Sequence, residues 1–431
     1  MANHRTSQSK KPWIETPLVE SSTLSRAVGC RVFLKLENLQ PSGSFKSRAM
    51  GSLILSHLSN PANSNRDIHF YISSGGNAGL AAVCAARSLS YPCTVVVPRS
   101  TRAIIIRKLR DAGATDVIAH GETIAKADEY MHEVVMKERR EGESDDVVKI
   151  ALHPFDHEAI WDGNSTIVDE LVDQLPPDAD NNQRAVPADA IICSVGGGGL
   201  LNGLVMGIER QKKLLGQDTD SHTNTAKKDI NILAVETEGT ASLALAMSKK
   251  SLVSLPSITS QASSLGVVRV SSRTLEYSLS PPPGISIHSV VISDADAARG
   301  VLRLVDDERL LVELACGVCV EAAIGDAQRQ NRKERRGHGG TDEGYGSDPT
   351  SSDESNPGSS TVSCASDVED TDSEADSASQ RVSKLRQVVP GLSPQSRVVI
   401  VVCGGSNITL DMATEWREKL NNGWGSKKGC E

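Results

Sequence analysis

The stretch Ala190-Ile191-Ile192-Cys193-Ser194-Val195-Gly196-Gly197-Gly198-Gly199-Leu200 decides the fold. Four apolar side chains in unbroken succession mark a strand buried on both faces, as in parallel sheets covered by helices. Four consecutive glycines are costly in chain entropy, so the backbone here has to approach something closely. A helical stretch, Leu200–Leu215, comes next. Strand, glycine turn and helix form the unit of parallel α/β architecture. The unit recurs along the chain. Apolar runs stand at Val32–Leu36, His69–Ile72, Cys93–Val97, Asp116–Ile118, Ile232–Val235 and Val398–Val402. Helical stretches stand at Ala78–Leu89, Ala103–Ala112, Thr123–Arg139 and His157–Leu175. The expectation is an α/β protein of open sheets covered by helices.

The chain has 431 residues, enough for two or three domains. Its net charge is −9, but residues 341–379 hold eleven acidic residues and no Lys or Arg, so the remainder is slightly basic, at +2. A globally basic nucleic-acid binder is therefore disfavoured, and an aromatic content of 3% also argues against base-stacking platforms. No apolar run approaches ~18 residues, so no membrane span is expected. Met1–Lys11 is polar and has no apolar core of a secretory signal. The nine cysteines are odd in number and mostly set among apolar residues, which fits free thiols in a reducing cytoplasm. Cys316-Gly-Val-Cys319 has no second pair at zinc spacing and reads as packing.

Three stretches interrupt the α/β pattern: Pro176–Ala188, Gln211–Asp229, and a segment at 328–382 that opens on Arg329, Arg332, Lys333, Arg335 and Arg336 and becomes Ser/Asp/Glu-rich. The last cannot bury enough apolar surface to offset its ordering entropy and is expected to be a disordered insertion. Its basic run fits a solvated loop flank better than a nuclear import signal.

Four turns carry chemistry. Pro41-Ser-Gly-Ser-Phe-Lys46-Ser-Arg48 places a lysine where a helix begins, the wrong end of the helix dipole for a cation and so a place where an amine becomes nucleophilic. Ser73-Ser-Gly-Gly-Asn77-Ala-Gly79 closes a strand and opens an Ala-rich helix, an anion site suited to a substrate carboxylate. The Gly196–Gly199 run suits a phosphate dianion; it has neither the dinucleotide spacing nor the Gly-Lys-Ser/Thr of a P-loop. Val401-Val-Cys403-Gly-Gly-Ser-Asn407 ends a buried strand on a neutral thiol able to face a ring nitrogen. An amine nucleophile, a carboxylate loop, a phosphate cup and a small polar group together point to pyridoxal 5′-phosphate, whose aldehyde, phosphate and ring nitrogen each need one of them.

On these motifs, and on the run Leu252–Val268, the chain resembles the L-serine/L-threonine dehydratases of the pyridoxal-phosphate fold type II, the group that includes the tryptophan synthase β-subunit, and most of all the short catabolic L-serine dehydratases. The resemblance extends from Thr16 to Glu418 apart from the three interruptions. It implies two open α/β domains with the cofactor in the cleft between them: residues 1–40 as an N-terminal segment of the large domain, 41–150 as the small domain and 151–431 as the large one. It implies roles by position. Lys46 would hold the cofactor covalently and then act as acid and base at Cα. Phe45 would pack on the ring, and Asn77 would bond its 3′ oxygen. Ser74, Gly75 and Asn77 would contact the substrate carboxylate. Gly196, Gly197, Gly198, Gly199 and Leu200 would bind phosphate through backbone N–H, and Cys403 would sit at the pyridine nitrogen. A monovalent cation, usually potassium, would lie at the Glu236 carboxylate and the carbonyls of Thr240, Leu265 and Val267, with Ser264 alongside. A homodimer is usual in the family, and the partner molecule otherwise expected is a small amino acid.

A thiol at position 403 cannot supply the charge that keeps a pyridine protonated, which favours prompt loss of a β-leaving group over transamination. The implied reaction converts L-serine to pyruvate and ammonia, and L-threonine to 2-oxobutanoate. Two positions depart from the family pattern: Asn164 stands where His is common, with consequences for helix packing or substrate polarity, and Leu314 replaces a frequent Pro. Rival readings are a threonine dehydratase, a serine racemase or a β-replacement synthase of the same fold, and an inactive relative kept as an interaction protein through its acidic insertion. Lys46, Asn77, the glycine run and Cys403 are all present, which argues against the last.

Overall fold

The computed structural model describes residues 10–139, 146–177, 185–216, 229–325 and 383–425. The expected insertion at 328–382, the basic run within it, residues 178–184 and 217–228 of the other two interruptions, and the N-terminus before residue 10 lie outside the described residues.

Ten strands are described: β1 (Leu18–Glu20), β2 (Arg31–Lys35), β3 (Ile68–Ser73), β4 (Cys93–Val97), β5 (Asp116–Ala119), β6 (Val148–Ala151), β7 (Ala190–Ser194), β8 (Ile230–Thr237), β9 (Ile285–Ile292) and β10 (Arg397–Val401). They form two sheets. The first has six strands in the order β1-β2-β10-β7-β8-β9, parallel except for β1. The second has four parallel strands in the order β5-β4-β3-β6. The central strands are those whose every residue is buried, β7 and β10 in the first sheet and β3 and β4 in the second. Their unbroken apolar character follows from having helices on both faces.

The helices are α1 (Ser22–Val28), α2 (Lys46–Leu58), α3 (Asn77–Ser88), α4 (Ala103–Asp111), α5 (Ile124–Tyr130), α6 (Glu158–Gln174), α7 (Gly199–Leu214), α8 (Ser242–Lys249), α9 (Ser272–Leu279), α10 (Asp294–Glu308), α11 (Leu314–Ile324), α12 (Lys384–Val388) and α13 (Leu410–Asn421). α11 is buried at every position and runs through the interior beside the first sheet. α3 covers the second sheet with Ala81, Ala82, Val83, Ala85 and Ala86, small side chains that let the helix lie close to β3 and β4. No described helix is long and apolar enough to cross a membrane.

The stretch Thr123–Arg139 is not one helix. Thr123 caps α5 by accepting the Lys126 N–H at 3.3 Å, and after Tyr130 the helix widens into a π-helical turn, Met131–Val135. The extra residue in the turn brings both Met131 and Val135 against Tyr71 and Val96 in a small separate core.

Candidate active site

The four motifs lie at the C-terminal ends of parallel strands, where open α/β sheets bind ligands. β2 leads to the lysine loop, β3 to the Ser74–Asn77 loop, β7 to the glycines and β10 to Cys403. β10 lies between β2 and β7, so the amine loop, the thiol and the glycine turn come from three neighbouring strands.

The lysine loop is stitched to the chain that follows β10. Phe45 N–H donates to the Cys403 carbonyl at 3.1 Å, and Gly405 N–H donates to the Gly43 carbonyl at 2.8 Å. Ser42 N–H donates to Ser47 Oγ at 3.1 Å, closing the loop onto the first turn of α2. Lys46 is the first residue of that helix and half-buried. Its Nζ donates to the Pro154 carbonyl at 2.8 Å and lies 5.3 Å from the Phe45 ring centroid. Burial lowers its pKa to about 8, while the nearby Cys403 sulfur acts in the opposite direction. A depressed amine was the expectation from its place at a helix start; desolvation in the cleft is the main cause.

Pro154 connects the lysine to the glycine turn, because the next residue, Phe155, lies against it. A Cβ on Gly197 would stand 2.2 Å from the Phe155 ring. Gly198 has φ +93°, and a Cβ there would stand 1.9 Å from Thr274 Oγ1. Only glycine fits either position. Among the described residues the N–H groups of Gly196, Gly197, Gly198, Gly199 and Leu200 meet no protein acceptor. These are the free donors at the positive end of α7, which is the arrangement that holds a phosphate. Ser44 Oγ, two residues before Lys46, is buried and has no partner among the described residues. Free donors, an orphaned hydroxyl and a desolvated amine fit the phosphate, the ring and the aldehyde of pyridoxal phosphate.

Cys403 lies just beyond β10, buried, with its sulfur 3.4 Å from Ser194 Oγ. Cys316 does more than pack: its sulfur accepts the Gly404 N–H at 3.1 Å and so fixes the turn after Cys403. Burial raises the Cys316 thiol well above its ordinary range, and its hydrogen bond with Cys403 adds to this.

On the other wall, Ser74 Oγ accepts the Gly76 N–H at 3.3 Å and Asn77 begins α3. Asn77 is tied to the opposite side of the cleft. Its Oδ1 accepts from Ser406 N–H at 2.9 Å, and its Nδ2 donates to the two oxygens of Glu313 at 3.1 and 3.3 Å. Glu313 also accepts the Asn407 N–H at 2.8 Å and the Ser264 hydroxyl. The sequence reading gave Glu313 no role. Its signal was a carboxylate immediately before a helix that is apolar except for Glu321, where a charge needs several donors to be tolerated. Replacing Glu313 by Gln puts an amide donor against the Asn77 amide. The expected loss is about 1.5–3 kcal/mol, seen as a kcat/KM lowered roughly 10- to 100-fold; an unchanged kcat/KM would show that Asn77 does not depend on this contact.

Glu236 is fully buried, and its carboxylate accepts Leu243 and Ala244 N–H at 2.8 and 2.9 Å, capping α8. Burial raises its pKa to about 7 against those bonds. The Leu265 carbonyl accepts Val267 N–H at 2.7 Å, Thr240 Oγ1 bonds Thr237 Oγ1 at 2.7 Å, and Ser264 turns to Glu313. Among the described residues no cluster of three or more His, Cys, Asp or Glu could hold a metal ion. Asn164 belongs to helix packing: its Nδ2 donates to the Gly199 carbonyl at 2.9 Å, joining α6 to the first turn of α7.

The chain is similar to several known proteins. A yeast protein named L-serine dehydratase (Saccharomyces cerevisiae, strain AWRI1631) is 39% identical over 306 residues, 70% of this chain and 83% of that protein. A mouse protein (Mus musculus) named L-serine dehydratase/L-threonine deaminase is 38% identical over 309 residues, 72% of this chain and 82% of that protein. The solved structure of a fungal L-serine ammonia-lyase from Rhizomucor miehei superposes with a TM-score of 0.67 at 29% identity, covering 95% of this chain and 99% of that one. Maize serine racemase, at 18% identity and a TM-score of 0.59, shares the fold. Residues 10–337 match the family described as pyridoxal-phosphate dependent enzyme. With a desolvated lysine, a glycine turn of free donors and a buried thiol at neighbouring strand ends, the chain belongs to the pyridoxal-phosphate dependent enzyme family.

Proposed function

We propose that this protein is an L-serine dehydratase that converts L-serine to pyruvate and ammonia, with a side activity that converts L-threonine to 2-oxobutanoate. The observation that carries the proposal is the Lys46 amine, its pKa lowered to about 8, bonded to the Pro154 carbonyl beside Phe155, the ring that lies against the Gly196–Gly199 turn. Pyridoxal phosphate, when bound, supplies an electron sink that makes the substrate Cα–H acidic. The glycine turn and Leu200 hold its phosphate, and Phe45 packs on its ring. Ser74 and Gly75, in the turn before α3, and Asn77, its first residue, hold the substrate carboxylate and orient the Cα–H bond. Lys46 takes the proton from Cα, and a pKa near neutrality suits it to that task. Cys403 offers the ring nitrogen a thiol in place of a carboxylate, which favours departure of the β-hydroxyl. We include in the proposal a monovalent cation, potassium, at the Glu236 carboxylate and the Thr240, Leu265 and Val267 carbonyls.

The deciding experiment incubates the holoenzyme with L-serine and measures pyruvate, ammonia and D-serine. Equal amounts of pyruvate and ammonia with little D-serine support the dehydratase; D-serine in excess of pyruvate makes the protein a racemase instead. The pKa of Lys46 gives a second expectation. The amine is protonated below about 8 and free above it, so covalent capture of added pyridoxal phosphate by cofactor-free protein accelerates as pH rises from 6.5 to 8.5. Stopped-flow absorbance follows the capture, and a rate flat across that range rules out a titrating amine.

The proposal extends to a homodimer in the cytoplasm, serving amino-acid catabolism and supplying pyruvate for gluconeogenesis. The seven described cysteines are all free, as a reducing compartment requires.

A further inference from the structure

Arg48 is the largest fully buried side chain among the described residues, and it lies two positions beyond Lys46 on α2. Its guanidinium donates to the two oxygens of Glu37 at 2.8 Å each and to the two oxygens of Glu170 at 2.5 and 2.7 Å. Lys35 Nζ donates to Glu170 at 2.5 Å, to Gln174 Oε1 at 2.7 Å and to the Thr16 carbonyl at 2.7 Å. Lys35, Glu37 and Arg48 are each 0% exposed. Glu170 keeps 13% of its side chain exposed, so two cations and two carboxylates form one neutral cluster that reaches solvent only at Glu170.

Such a cluster is a poor source of net stability, because desolvating the charges consumes most of their attraction. What it supplies is direction, since a guanidinium fork bonded to two carboxylates permits only a narrow range of geometry. Each member sits on an element that carries part of the site. Arg48 shares the first turn of α2 with Lys46. The Lys35 carbonyl accepts the Val402 N–H at 2.9 Å, next to Cys403. Glu37 opens the loop that delivers the lysine. Glu170 is on α6, the helix whose Asn164 holds the Gly199 carbonyl.

We propose that the Arg48–Glu37–Glu170–Lys35 cluster is a positioning device that sets the separation between the Lys46 amine and the glycine donors of α7. This rests on the reading that pyridoxal phosphate spans those two groups. Without the fork α2 shifts against α6, and the amine moves relative to a cofactor whose phosphate stays where it was. A misplacement of about 1 Å is enough to cost roughly 10²-fold in rate.

The test compares holoenzymes of the wild type, Arg48→Lys, and the charge-balanced double variant Arg48→Met/Glu37→Met. Lysine keeps the charge and loses the fork. Both variants are expected to lower kcat on L-serine by about 10²-fold and to leave KM within about threefold. Both are also expected to change the visible circular dichroism band of the bound cofactor, which reports its orientation and which a loss of global stability alone does not move. Wild-type kcat and dichroism in either folded variant overturn the proposal. So does failure of both variants to fold, or a lowered melting temperature with kcat per bound cofactor unchanged, because each assigns the cluster to stability. Borohydride trapping of the wild type at a residue other than Lys46 defeats the underlying reading instead.

Discussion

Lys46→Ala is expected to lose turnover of L-serine by about 10⁴-fold or more and to bind pyridoxal phosphate without covalent attachment. Both effects follow from one atom. Nζ of Lys46 is the amine held in the cleft, 2.8 Å from the Pro154 carbonyl. In the proposed mechanism alanine removes both the nucleophile for the aldehyde and the base for the Cα proton, and leaves the glycine turn and the Asn77 loop in place. The variant should therefore fold, retain a weaker phosphate-directed affinity for the cofactor and lack the visible absorbance of a covalent adduct. Borohydride reduction and peptide mass mapping check it: the label belongs on the peptide carrying Lys46 in the wild type and is absent from the variant. Retained steady-state turnover in the variant would refute the assignment.

Gly198→Ala is expected to purify free of cofactor and to be less stable by about 2–5 kcal/mol, combining left-handed strain with overpacking. The added methyl would stand 1.9 Å from Thr274 Oγ1 at a φ of +93°. Thr274 cannot move aside at little cost. Its hydroxyl donates to Asn202 Oδ1 at 2.9 Å and bonds Ser271 Oγ at 2.8 Å, and the residue is fully buried. Relief comes from displacing the turn, which re-aims the N–H groups of Gly197 to Leu200. Cofactor content per chain after dialysis, together with thermal unfolding, measures both effects. A variant that keeps a full complement of cofactor would mean that the turn is not the phosphate seat.

Much of the architecture could be read from residues alone because its decisive strands are buried on both faces. Ile191, Ile192 and Cys193 leave no polar position to interrupt the run, and the same holds for Val398–Val401. Among the edge strands β5 was legible as the run Asp116–Ile118, but β9 and β6 were not. β9 has its apolar run broken by Ser286 and by the adjacent His288 and Ser289, and β6 contributes only four residues to the rim of the second sheet, so neither stood out from a loop. In the site, the glycine turn and the lysine loop were legible because glycine runs and a lysine at a helix start are local features. Glu313 and Glu170 were not. Glu313 meets Asn77 across 236 positions and Glu170 meets Arg48 across 122, and such pairings are fixed by strand order and helix crossing. Asn164 could be placed between two roles only once α6 and α7 were seen to pack.

The position of β10 has a consequence for biosynthesis. This strand inserts between β2 and β7, its Val399 opposite Phe33 and Ile191, yet it is made more than 200 residues after β7. A nascent chain on the ribosome therefore exposes two unpaired apolar strand margins until residues 397–401 emerge. Chains whose translation aborts before then carry Lys46 and the Gly196–Gly199 turn without the strand that lies between them, and their open margins make them clients for chaperones and for aggregation.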